Sequence, residues 1–167
     1  MKTKRDIILA VILTLAAVGQ IILAFVLYNK DRNIAIINLG WVILWISAIF
    51  GWLPIFTFKK YGGVSKGKSY IQTTTLVDRG VYAIVRHPQY LAGILIGLSL
   101  PLISQHWLVA VLGVVVIIIT YVNTFDEETL NIEKFGEEYR QYMQRVPRLN
   151  FLLGIVRIIR QRGRTRT

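Results

Sequence analysis

Twenty-two consecutive residues, Ile7 to Tyr28, carry no charge. At about 1.5 Å of rise per residue, such a run forms a helix long enough to cross a hydrocarbon core of roughly 30 Å. A cleavable signal peptide would have a shorter apolar part followed by a small-residue cleavage pattern, and neither is present. Three more apolar runs follow, at about 34–58, 88–104 and 107–125, with Pro88 suited to the first turn of the third. Only Gln105 and His106 separate the third run from the fourth, so these two must form an antiparallel hairpin. Over 167 residues the chain is 54% hydrophobic, with a mean hydropathy of +0.51, too apolar for one ordinary soluble domain.

The expected fold is therefore all-α: a single membrane domain over 1–167, a bundle of four transmembrane helices with a C-terminal cytoplasmic and interfacial segment. Asn29 to Asn33 reads as a polar turn, and Lys59 to Gly80 as a loop partly extended around Tyr70 to Thr75. Residues 126–150 are highly charged, with Leu130, Phe135, Tyr139, Tyr142 and Val146 on one apolar helical face. The tail, 151–167, is too short and too interrupted by Arg157 for a fifth span, and reads as an interfacial helix.

The formal charge of +11 raises nucleic acid as a partner, but its distribution argues for membrane lipids. Eighteen of the twenty Lys and Arg flank the runs on one side, and only Lys30 and Arg32 lie on the other. By the positive-inside rule both termini then face the cytoplasm. The basic residues meet anionic headgroups there, each contributing about 1 kcal/mol, and no nucleic-acid partner is needed. With no Cys and only His87 and His106, disulfides, thiolate nucleophiles and a His- or Cys-built metal site are excluded.

Two polar clusters lie at the cytoplasmic ends of the hairpin. One is Arg86-His87-Pro88-Gln89-Tyr90, followed by Gly93; the other is Glu127-Glu128. An antiparallel hairpin brings the start of one helix beside the end of the next, so the clusters should meet although some forty residues separate them. Taken singly, each has a bland account: headgroup anchors, a helix initiator, a solvated first turn, belt tyrosines. Carboxylates crowded against a membrane exit with cations apposed point instead to a polar ligand site.

Arg86-His87-Pro88-Gln89-Tyr90 with Gly93 resembles the R-H-P-x-Y-x-x-G signature of the isoprenylcysteine carboxyl methyltransferases and their phospholipid methyltransferase relatives. Glu127-Glu128, Phe135-Gly136, Tyr139, Tyr142 and Val146-Pro147-Arg148 are similar to the second block of that family, and together the likeness covers about Leu76 to Leu149. The resemblance implies S-adenosylmethionine as cofactor and a lipophilic or amphipathic acceptor. It implies a cofactor site of His87, Arg86, Tyr90, Glu127, Glu128 and Tyr139, with Glu128 foremost and Glu127 second for the cofactor's ammonium. Arg86, Tyr90 and Arg148 would assist alignment, Gly93 would let the third and fourth helices approach closely, and Phe135-Gly136 would turn the charged helix back over the cofactor. No side chain stands out as a free general base, which leans towards carboxyl O-methylation or another acceptor already deprotonated. Two other functions remain open: an NADPH-dependent membrane reductase of the sterol-reductase type, and a non-catalytic membrane scaffold.

Overall fold

The computed structural model describes residues 3–28, 32–63 and 74–164. Among the described residues there are six α-helices, one short 3₁₀ turn and no strand. The helices are α1 (Lys4–Val26), α2 (Ile34–Tyr61), α3 (Pro88–Ser104), α4 (Trp107–Phe135), α5 (Glu137–Arg145) and α6 (Phe151–Arg164), with the 3₁₀ turn at Gly80–Ala83. Helices α1, α2 and α4 are long and apolar enough to cross a membrane; α3 is apolar but shorter. The protein is a membrane protein. Most of the Asn29 to Asn33 turn and the extended stretch expected at Tyr70 to Thr75 lie outside the described residues.

The caps account for several helix starts. Thr3 and Asp6 form a reciprocal capping box that opens α1. The Asn33 side chain accepts from the amides of Ala35 and Ile36 at α2, and Asn150 does the same for Leu153 at α6. Pro88 takes the first position of α3, where its missing amide costs nothing.

Two compact units divide the chain: Met1–Ile49 with Ala92–Thr124, and Phe50–Leu91 with Phe125–Thr167. In the first, polar side chains bond backbone between helices, as hydrocarbon surroundings require. Gln20, 1% exposed, donates to Gly97 O at 2.9 Å and Val109 O at 3.3 Å. Ser47 donates to Ala92 O, and Arg32 to the carbonyls of Ile103 and Leu27. Helices α3 and α4 approach closely at Gly97 and Gly113, where a Cβ on Gly113 would collide with Gly97 O. At Gly93, the glycine expected to serve this purpose, an added Cβ would lie an ordinary 3.4 Å from Thr120.

In the second unit, α4 continues past Phe125 through the glutamate pair to Phe135. Gly136, at φ +58°, then breaks the charged segment and starts α5. The single apolar face expected from Leu130 to Val146 is therefore split. Leu130 is exposed, whereas Tyr139, Tyr142 and Val146 form a buried cluster with Leu76, Ile132, Phe135 and Met143.

Candidate functional site

The site lies wholly within the second unit and is built around one carboxylate. Glu128 is 4% exposed. Its Oε1 is 2.9 Å from Arg86 Nη1, 3.2 Å from His87 Nε2 and 3.0 Å from Arg148 Nε. Arg148 also donates through Nη2 to Oε2, making a bidentate pair, and its guanidinium stacks 3.8 Å above the Phe125 ring. The two clusters thus meet, and Arg148 joins them from twenty residues beyond.

His87, 2% exposed, stands between two carboxylates. Its Nδ1 is 3.9 Å from Glu127, whose side chain is 42% exposed. Tyr90 meets the imidazole edge-on, with ring centroids 5.5 Å apart. Two buried nitrogens of Arg86, Nε and Nη1, have no hydrogen-bond partner among the described residues, although Nη1 is in ion-pair contact with Glu128.

Beside these charges is a cleft of about 50 Å³. Phe58, Tyr82, Phe135, Tyr139 and Tyr142 supply its aromatic lining, and Arg86, Glu127 and Asn131 its polar edge. Phe58 stacks on Tyr82 at 4.6 Å and 12°. Burial pushes the Tyr139 hydroxyl up to about 12, with Glu128 adding to the rise, and burial pushes Tyr142 further still. Both phenols are therefore neutral hydrogen-bonding groups at physiological pH.

A series of contacts holds the loop that carries Arg86 and His87. Tyr142 Oη donates to Tyr82 O at 2.7 Å. Arg157 donates to Ala83 O and also to Arg145 O. Gly154 seats against Ile84 O, where a Cβ would collide. The amides of Arg86 and His87 donate to Pro147 O at 3.0 Å and Arg148 O at 3.2 Å.

The chain matches a model of the phospholipid methyltransferase family over residues 37–138. It belongs to that family. The match takes in Arg86, His87, Tyr90 and both glutamates, and ends before Tyr139, Tyr142, Arg148 and α6. No curated protein and no solved structure matches the chain. Family membership makes it a membrane methyltransferase, in line with its motifs. Of the residues singled out from sequence, Arg86, His87, Glu127, Glu128 and Arg148 gather at one point, Tyr90 lies against His87, and Tyr139 walls the cleft. Phe58, Asn131 and Arg157 were not singled out for the site. Arg157 alone left a signal, as a charge interrupting an apolar run.

Proposed function

We propose that this phospholipid methyltransferase relative moves a methyl group from S-adenosylmethionine to a lipophilic or amphipathic acceptor at the cytoplasmic face. In this reading α3 is a fourth span and both termini are cytoplasmic, as the one-sided Lys and Arg distribution supports. The observation that carries the reading is the convergence of Arg86, His87 and Arg148 on Glu128, beside a half-exposed Glu127 and an aromatic cleft.

The residues present fit a cofactor that is zwitterionic at one end and aromatic at the other. Arg86 has a buried donor without an acceptor, suited to the cofactor's carboxylate. Glu128 is engaged by two arginines and a histidine, which leaves Glu127 as the better partner for the ammonium. Phe58, Tyr82 and Tyr139 offer flat apolar walls to a base, with Asn131 at the edge. When bound, the cofactor supplies a methyl group already activated on a sulfonium. The chain's own task is then alignment and exclusion of water. Tyr90 fixes the imidazole of His87, and Arg148 closes the site over Glu128. The cleft is small as it stands, so binding of the whole cofactor requires its walls to open.

With His87 held between two carboxylates, the best-fitting acceptor atom is one that needs no base, such as a carboxylate oxygen. An acceptor anchored by an apolar chain suits a site on a chain whose helices α1, α2 and α4 are long and apolar enough to cross a membrane.

Calorimetric titration with S-adenosylhomocysteine in detergent tests the assignment. Glu127→Gln should weaken binding by about ten- to a hundredfold, the value of one charge-assisted hydrogen bond in a partly desolvated site. Glu133→Gln, exposed on the same helix, should leave it unchanged. Equal small effects at both would reject the site, and a stabilising response to NADPH would favour the reductase.

A further inference from the structure

Helix α6 has two faces with different work to do. The inner face grips the loop that carries Arg86 and His87: Gly154 lies against Ile84 O, and Arg157 donates to Ala83 O and Arg145 O. The outer face is apolar and uncovered. Leu152 is 63% exposed, Val156 44% and Ile159 64%, and their spacing of four and three residues places them on one stripe. From Phe151 to Thr167 the sequence holds five arginines and no acidic residue. An apolar stripe in a segment whose only charged residues are arginines fits a negatively charged lipid surface in charge and in polarity. A bilayer is at hand, because α1, α2 and α4 are built to cross one.

We propose that α6 docks on the anionic leaflet of the membrane and transmits that docking to the Arg86–His87 loop through Gly154 and Arg157. The occupant of the outer face is lipid, drawn by the arginines and held by Leu152, Val156 and Ile159. Docking fixes the helix, and the fixed helix holds the backbone from Ala83 to His87 in its bonded form. The site is then ordered where anionic lipid is present and loosened where it is not. This goes beyond the methyl-transfer reading and does not depend on it.

The test uses the full chain in nanodiscs of phosphatidylcholine alone or mixed with phosphatidylglycerol. The chain has no cysteine, so Ile159→Cys accepts a single nitroxide that reports docking. Hydrogen exchange at the amides of Arg86 and His87, which bond Pro147 O and Arg148 O, reports the loop. Anionic discs should shield the nitroxide from an aqueous relaxant and slow both amides; raising the salt should reverse this. Arg160→Glu should weaken the lipid response by about fivefold per unit of charge removed, leaving exchange in neutral discs as it was. Arg157→Gln should keep the nitroxide response and abolish the amide response. A nitroxide equally exposed in both discs would overturn the proposal, as would one shielded only on adding a soluble protein fraction. Lipid-dependent shielding with unchanged amide exchange in the parent chain would overturn the transmission.

Discussion

Arg148 closes on Glu128 with both nitrogens of one guanidinium edge while its flat face covers Phe125. A bidentate pair backed by a ring restricts the side chain to one orientation. With Arg86 and His87 on the same carboxylate, Glu128 is the fixed point of the site.

Glu128→Gln should therefore be costly to the fold itself. Removing one member of a buried ion cluster leaves the others without compensation, a loss of about 3–5 kcal/mol. Thermal melts in detergent should show a large drop for Glu128→Gln. Glu133→Gln should stay within about 0.5 kcal/mol of the parent. Similar melting of the two variants would mean that Glu128 holds nothing in place.

The glycine contact between α3 and α4 predicts a sharp contrast. Gly113→Ala places a methyl group against Gly97 O and Gln20, and overpacking of this kind costs about 1–3 kcal/mol. At Gly93 an added methyl meets Thr120 at 3.4 Å, so Gly93→Ala should melt close to the parent. A reversed order would contradict the packing of the hairpin.

Alkaline pH should destabilise the second unit through its buried phenols. Tyr139 is raised from 10.0 to about 12 by burial, so the folded chain holds its proton more tightly than the unfolded chain. The stabilisation is complete below about 10 and is lost as pH rises towards 12. Melts across this range should fall for the parent. Tyr139→Phe should flatten the Tyr139 contribution, leaving that of Tyr142. A profile that rose with pH would refute the assignment.

Orientation offers an independent check on the proposal of cytoplasmic termini. Reporter fusions after Lys30 should be active outside, and those after Lys68 and at Thr167 inside. An external signal from the last fusion would place Arg86 and Glu128 on the opposite face.

Much of the fold is legible in the sequence. The long apolar runs declare themselves because a bilayer demands length and lack of charge. The meeting of Arg86-His87 with Glu127-Glu128 follows from a tight turn at Gln105-His106. Other features have no residue-type signature. Asp126, Glu127 and Glu128 continue a helix as readily as they begin a charged segment, so α4 passes Phe125 without a mark. Gly93, Gly97 and Gly113 read alike, and only the path of the backbone decides which pair touches. The hold on Ala83 to His87 is made largely to main-chain atoms, which every sequence possesses. That Arg86, His87 and Arg148 would all converge on Glu128 is not legible either, because Arg148 lies twenty residues further on.

The bonds from Arg86 and His87 to Pro147 and Arg148 also bear on the order of events during synthesis. The ribosome makes the arginine and histidine some sixty residues before their carbonyl partners. Until residue 148 emerges, Arg86 and His87 can meet Glu128 of α4 through their side chains, but their backbone amides lack these two carbonyl partners. A nascent chain stalled before that point has Arg86, His87 and Glu128 but not Arg148, so the polar site closes only after the segment beyond α5 has been made.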